Sequence, residues 1–323
     1  MKDEHEDFDR PRRRTRPRTK DRPNYDQLPV GRVRTVDRGR YTVDVDGVPV
    51  TAMKARFLGR QGVVVGDEVR VDGDATGAEG SLARIAEVLP RATVLRRTAD
   101  DDDPIERVIV ANADQLVVVT ALADPPPRPA LIDRCLVAAY DAGMRPVVIL
   151  TKADLASPAE MLGLLEPLDV TVVPTHRGAD LELVRAVLTN RTSVLVGHSG
   201  VGKSTLVNAL VPEAHRTTST VNAVTGRGRH TSTSALALPL PDGGWIIDTP
   251  GIRSFGLAHV DIDSVIAAFP DIAEVCTGCP RGCTHLASEP ECALDTAVLA
   301  GTITTERVDS LRRILAVRAA PTY

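Results

Sequence analysis

The residues whose types and spacing point most clearly to a chemical function form a glycine-rich segment at 197–204. This segment reads Gly-x-x-x-x-Gly-Lys-Ser, follows a short apolar strand predicted at 193–196 and leads into a predicted helix. Glycines allow successive backbone N–H groups to turn toward a phosphate at the positive end of a helix. A lysine and a serine in this pattern reach the terminal phosphates and a Mg²⁺ ion. The predicted nucleoside triphosphate site consists of Gly197, His198, Ser199, Gly200, Val201, Gly202, Lys203, Ser204 and Thr205.

A second segment has the chemistry to select the base. Thr151, Lys152, Ala153 and Asp154 follow an apolar strand predicted at 146–150 and resemble the NKxD element of GTPases, with threonine where asparagine is usual. A carboxylate accepts hydrogen bonds from guanine N1–H and from its exocyclic amine, a pairing that adenine lacks. Asp154 therefore favours guanine, and the stem of Lys152 would lie along the base. The threonine leaves the strength of guanine binding open.

A third segment completes the set and reveals its unusual order. Asp248 and Gly251 form a D-x-x-G sequence after a strand predicted at 245–247, which suits an Mg²⁺ contact by Asp248 and a γ-phosphate contact by Gly251. Ordinary GTPases place the phosphate loop first and the base-reading segment last. Here the base-reading segment comes first. The sequence therefore predicts a circularly permuted α/β GTPase domain, because strand ends in one sheet can meet whatever the order of their loops.

Near the end of the chain, thiols and an imidazole crowd together. Cys279, Cys283, His285 and Cys292 have the short spacings of a closed Cys₃His zinc site, which is structural rather than catalytic. Cys276 is a rival for the first ligand. A cluster of free thiols without metal is the alternative interpretation.

The rest of the chain divides by composition. It has 323 residues with 43% apolar, 25% charged and 3% aromatic residues, as in a soluble multidomain protein built mainly on aliphatic cores. No apolar run is long enough to cross a membrane and the amino terminus is charged rather than signal-like, so a cytoplasmic protein is expected. A monomer is also predicted. The predicted parts are a disordered charged tail at 1–27, an OB-type β-barrel at 28–98, the GTPase domain at 99–257 and a helical zinc-binding domain at 258–323.

The tail and the barrel are candidates for RNA contact. An acidic block opens the tail, and a basic, proline-containing block follows at 10–23. The basic block is either a phosphate-seeking arm or a solvated tail. The barrel strands are separated by Gly and Asp turns, and Lys54, Arg56 and Arg60 are candidates for an RNA face. With Tyr41 and Phe57 as its few aromatic candidates, the barrel is expected to contact phosphate and shape more than bases. A purely structural barrel is the alternative.

Taken together, these features resemble one family, the ribosome small-subunit-dependent GTPase A family (RsgA, or YjeQ). The resemblance covers the chain from about Val30 onward, and the stretch 226–233 looks like the switch sequence G-R-H-T-T-T of that family with Ser232 for one threonine. It implies hydrolysis of GTP to GDP with Mg²⁺, one structural Zn²⁺, and binding to the small ribosomal subunit and its rRNA during late assembly. The spacing of the zinc ligands differs slightly from that of the family. It is one residue shorter between the first two cysteines and one residue longer before the last.

The resemblance also supplies a candidate catalytic residue. Ile252 follows D-x-x-G at the position where small GTPases commonly have a glutamine that orients water, and isoleucine has no hydrogen-bonding group. By resemblance, His230 would take that role once the chain docks on the ribosome. The alternative interpretation, from residue type alone, is that His230 is merely an exposed loop residue.

Two other functions remain open from the sequence. The first is a P-loop ATPase with a metal-binding tail, which Asp154 opposes because it favours guanine. The second is an RNA-binding module that holds GTP only as a structural ligand, which Ile252 makes conceivable.

Overall fold

The structure is a computed structural model that describes residues 24–59, 62–97, 107–212, 235–249, 257 and 259–319. Its strands are β1 Val30–Asp37, β2 Arg40–Val45, β3 Val48–Lys54, β4 Glu68–Gly73, β5 Ala83–Val88, β6 Val94–Arg97, β7 Arg107–Ala111, β8 Gln115–Ala121, β9 Arg145–Thr151, β10 Thr171–Pro174, β11 Thr192–Val196, β12 Leu236–Pro239 and β13 Trp245–Asp248. Its helices are α1 Pro129–Asp141, α2 Ala159–Leu165, α3 Glu182–Leu188, α4 Lys203–Leu210, α5 Ile262–Ala267, α6 Pro270–Cys276, α7 Ala293–Leu299 and α8 Thr305–Ala319.

Strands β1 to β5 form a closed barrel. They are ordered β1-β2-β3-β5-β4, and β1 also pairs with β4, which closes the ring. Alternate residues point inward, as the period of a strand requires, and Val33, Val43, Val50, Val69 and Ile85 are completely buried. The predicted OB-type barrel is therefore confirmed. Tyr41 is among the inward residues and is only 7% exposed, so the expectation that it offers a stacking surface is wrong.

The central domain is built on a mostly parallel sheet. The order is β10-β9-β8-β11-β13-β12, with every neighbouring pair parallel except β12 and β13. Strand β8 shows why the sheet is covered on both faces. Leu116 and Val118 enter the core that contains α1, while Val117 and Val119 enter the core that contains α3 and α4. A strand buried on both faces reads as a continuous apolar run.

The barrel and the central sheet are joined directly. Strand β1 pairs with β12, so eleven strands among the described residues form one continuous sheet. Arg32 and Arg34, two residues apart and hence on one face of β1, lie with their guanidinium carbons 5.9 and 5.8 Å from the centre of the Trp245 ring. Arg32 also donates to the Thr192 hydroxyl at 2.6 Å. The barrel therefore rests against β12 and β13.

Arginine ion pairs join α8 to α1, α6 and α7. In α8, Arg313 reaches the carboxylate of Asp133, which lies in α1 with a side chain only 3% exposed, at 3.0 Å. Arg307 bonds Asp271 at 2.7 Å, and Arg312 bonds Asp295 at 2.8 Å. These three arginines are therefore held in contacts within the protein.

Candidate functional site

The phosphate loop connects the carboxyl end of β11 to α4. Gly197 is required by its surroundings, because a Cβ at this position would lie 2.5 Å from the carbonyl oxygen of Val119. Gly202 has a φ of +86°, which glycine adopts readily, and helix α4 starts directly after it. Ser204 and Thr205 are exposed in the first turn of α4, and the His198 ring contacts the Ser199 carbonyl oxygen at 2.9 Å. The loop thus has the strand and helix that the sequence predicts for it.

Lys203 and Asp248 meet at this edge of the sheet. Residue pairing sets Leu195 of β11 beside Asp248 at the end of β13, and the ammonium of Lys203 forms an ion pair with the Asp248 carboxylate. The Thr249 hydroxyl donates to the Leu195 carbonyl at 2.7 Å and fixes the chain where β13 ends. The Lys203 ammonium and the Ser204 hydroxyl in the first turn of α4, with the Asp248 carboxylate at the end of β13, fit a Mg²⁺–triphosphate group, since Mg²⁺ prefers oxygen ligands.

The base-reading segment lies at the end of β9, two strands from the phosphate loop. Lys152 has a φ of +57°, which is unusual for a side-chain-bearing residue and turns the chain sharply. Ala153 N–H then donates to the Thr175 carbonyl at 3.0 Å, and Thr175 N–H donates to the Leu150 carbonyl at 2.7 Å. Asp154 is exposed beyond this turn. Thr175 therefore helps to hold the turn.

Thr151 has a contact that its place in the motif did not specify. Its hydroxyl donates to the Val201 carbonyl of the phosphate loop at 2.6 Å, and it lies 3.3 Å from the Thr120 carbonyl. The side chain is buried between β9 and the loop. Thr151 thus links the base-reading segment to the phosphate loop and points at the protein backbone.

Replacement of Thr151 by valine is expected to weaken both GDP and GTP binding by about tenfold. Valine has nearly the same shape but leaves the buried Val201 carbonyl without its donor, which costs about 1–3 kcal/mol. Calorimetric titration with each nucleotide would measure the change. Thr151→Ser, which keeps the hydroxyl, is the matched control and should bind nearly as the parent does. Equal affinities for the valine variant and the parent would rule out the link.

The cysteine cluster forms a compact pocket of ligand atoms before α7. The ligand atoms of Cys279, Cys283, His285 and Cys292 all lie within 4.8 Å of one another. The Nδ1 atom of His285 is 3.6 Å from the Cys279 sulfur and 3.9 Å from the Cys292 sulfur. Tetrahedral zinc, with bonds of about 2.3 Å to sulfur and 2.0–2.1 Å to nitrogen, requires nitrogen–sulfur separations of about 3.6 Å. The described ligand set therefore fits Zn²⁺.

The chemistry of the donors agrees with their spacing. Burial lowers the pKa of His285, which leaves the imidazole neutral with a lone pair to offer. The Ala293 N–H points at the Cys279 sulfur at 3.3 Å, and the His285 N–H points at the Cys283 sulfur at 3.4 Å. Such donors stabilise thiolates, the form that a metal ion binds.

Cys276 lies beside this cluster. Its sulfur is 3.6 Å from His285 Nδ1, the same separation as that of Cys279. Only the other three cysteines share the compact 4.8 Å group with His285. The choice of Cys279 over Cys276 as first ligand therefore remains a prediction, now with a geometric reason.

Two residues of the predicted site fall outside the described part of the chain. These are Gly251, the second half of D-x-x-G, and His230, the candidate for positioning water. Their roles remain predictions. In the described residues, no helix is long and apolar enough to cross a bilayer.

Comparisons with known proteins agree with this arrangement. A family model described as RsgA GTPase matches residues 88–258. A "Small ribosomal subunit biogenesis GTPase RsgA" from Gemmatimonas aurantiaca is 38% identical over 264 residues, which cover 80% of this chain and 85% of that protein. YjeQ from Thermotoga maritima superposes with a TM-score of 0.67 at 25% identity, covering 90% of this chain and 99% of that one. YloQ, titled a circularly permuted GTPase, shares the fold with a TM-score of 0.66 at 24% identity, covering 94% and 100%.

Proposed function

The chain belongs to the RsgA GTPase family and is a GTP hydrolase, and we propose that it assists late assembly of the small ribosomal subunit. The observation that carries the proposal is that Lys203, Asp248 and the turn bearing Asp154 lie at one edge of the sheet, in permuted chain order. The name of the relative from Gemmatimonas aurantiaca supports the choice of the small subunit as partner. Ribosomal subunits are assembled in the cytoplasm, so we place the protein there, acting as a monomer.

Each residue of the site receives a role in this proposal. Asp154 accepts the guanine hydrogen bonds, and the loop from Gly197 to Thr205 surrounds the phosphates with backbone N–H groups. Lys203 carries the positive charge closest to the β- and γ-phosphates. Ser204 and Asp248 would hold Mg²⁺, which neutralises phosphate charge when bound. The result is a charged cradle in which the γ-phosphate can leave.

Water activation is assigned to His230. No hydrogen-bonding side chain follows D-x-x-G, because residue 252 is isoleucine. A histidine can orient and deprotonate water near neutral pH, since its ordinary pKa lies near 6.5. We propose that docking on the subunit brings His230 to the γ-phosphate. Free protein would then hydrolyse GTP slowly.

The test is GTP turnover by the full chain with and without purified small ribosomal subunits. Addition of subunits is expected to raise turnover by about tenfold or more, because ordering a catalytic loop completes the site. His230→Ala is expected to bind GTP normally and to lose most of that increase. Equal turnover with and without subunits would remove the activation model. Absence of turnover under both conditions would leave GTP as a structural ligand.

A further inference from the structure

The outer wall of the barrel carries an aromatic pair that the nucleotide site does not use. Phe57 lies on the 3₁₀ turn Arg56–Leu58 after β3, and the ring of Tyr25 stacks on it with centroids 5.9 Å apart and planes 5° apart. Phe57 is still 61% exposed with Tyr25 in place. Ala55, just before the turn, supplies the buried contact instead. Phe57 therefore contributes little to the barrel core.

The surroundings of this pair are apolar and basic. Met53 is 46% exposed and pairs in register with Arg84 on β5, whose side chain is 59% exposed. Arg56 is exposed on the turn itself, and Lys54 donates to the Gly59 carbonyl at 3.0 Å beside it. We call Tyr25, Met53, Phe57, Arg56 and Arg84 the aromatic patch.

Two carboxylates of this region are paired with arginines. Asp72 forms an ion pair with Arg84, and Asp26 bonds Arg70 at 3.4 Å. In sequence, a basic block ends at Arg22, three residues before Tyr25, and contains Arg10, Arg12, Arg13, Arg14, Arg16, Arg18, Lys20 and Arg22. A run of positive charge therefore precedes the aromatic patch in the sequence. A polyanion with exposed ring faces is the partner that suits both features.

We propose that the aromatic patch binds an unpaired RNA nucleotide, whose base extends the stack on Phe57 while cations contact the neighbouring phosphates. This rests on the proposed function, since it takes rRNA as the source of the strand. It adds base stacking to a barrel that was expected to contact phosphate and shape more than bases. Every base has a ring face, so the contact is tolerant of sequence.

The experiment measures binding of the full chain to a labelled single-stranded RNA of roughly 12 nucleotides, within the span of one OB fold. Phe57→Leu keeps apolar bulk and removes the ring. It is expected to weaken binding about tenfold, the size of one base–aromatic stack, and Phe57→Trp should restore it. Tyr25→Leu should act in the same direction. Leu183→Ala, at a 70% exposed residue of α3, is the matched control and should change nothing.

Salt dependence separates stacking from charge. Arg56→Gln should reduce the slope of log affinity against log salt by about 1, whereas Phe57→Leu should leave the slope unchanged. An unchanged RNA affinity for Phe57→Leu would overturn the proposal. An equal loss of affinity for single-stranded RNA and for a duplex of the same sequence would also overturn it. Weaker binding to small subunits with RNA affinity intact would assign the patch to a protein and also overturn it. Because the RNA assay needs no turnover, its failure is distinct from failure of subunit-stimulated hydrolysis.

Discussion

Replacement of Lys203 by glutamine is expected to lower GTP turnover by roughly 10²–10³-fold, the usual cost of removing one group that stabilises developing charge. The structure places this ammonium beside the Asp248 carboxylate, at the meeting point of β11, β13 and the phosphate loop. Negative charge accumulates on the phosphate oxygens as the γ-phosphate leaves. Glutamine has similar reach but carries no charge to balance it.

Single-turnover hydrolysis at saturating GTP would measure this effect apart from binding. Lys54→Gln is the matched control, because it removes a lysine charge from the barrel, where Lys54 bonds the Gly59 carbonyl. Its turnover without RNA should equal that of the parent. If Lys203→Gln retained parental turnover, the phosphate loop would not be the catalytic cradle.

Much of the site could be predicted because its chemistry is local in sequence. The phosphate loop, the T-K-A-D turn and the D-x-x-G strand each sit at the end of an apolar run, and strand ends of a parallel sheet meet at one edge. The register of β11 with β13 then brings Asp248 to Lys203, as the motifs require. The spacing of the cysteines likewise predicted a cluster that the structure draws together.

Contacts between distant segments could not be predicted in the same way. Periodicity predicts that β1 is a strand, but it does not say that its free edge pairs with β12. The alternating Arg32 and Arg34 were a signal that one face of β1 meets an unusual partner, which proves to be Trp245. The Thr151 hydroxyl is similar. Its motif implied a nucleotide contact, while burial turns it toward the Val201 carbonyl.

The aromatic residues show the limit of composition as a guide. Tyr41 and Phe57 are equivalent as sequence-based candidates for stacking, yet one is 7% exposed inside the barrel and the other is 61% exposed on its wall. The alternation of side chains along β2 explains why Tyr41 faces inward. The exposure of Phe57 depends on a 3₁₀ turn that has no periodic signal, and on Tyr25, which the predicted tail at 1–27 included.

Replacement of Cys292 by serine is expected to lower zinc affinity by at least about 100-fold and to release α7 and α8 from the rest of the chain. Cys292 is 3% exposed and lies directly before α7, so its thiolate would connect that helix to the loop bearing Cys279 and His285. Helices α5 to α7 have six or seven residues each, too short to be stable without packing or a metal. Loss of zinc should therefore spread to the Arg313–Asp133 contact that joins α8 to α1.

Zinc content by atomic absorption and hydrogen exchange across α7 and α8 would measure both effects. Cys276→Ser should retain both the metal and the slow hydrogen exchange of the parent, whereas Cys279→Ser should behave like Cys292→Ser. The reason is that Cys279, and not Cys276, belongs to the compact ligand group with Cys283, His285 and Cys292. Cys135→Ala, at a buried thiol in α1, controls for removal of a cysteine outside the cluster. The reverse pattern, with metal lost from Cys276→Ser and kept by Cys279→Ser, would show that Cys276 is the first ligand in place of Cys279. Unchanged zinc content in all three serine variants would show that the thiols do not bind the metal at all.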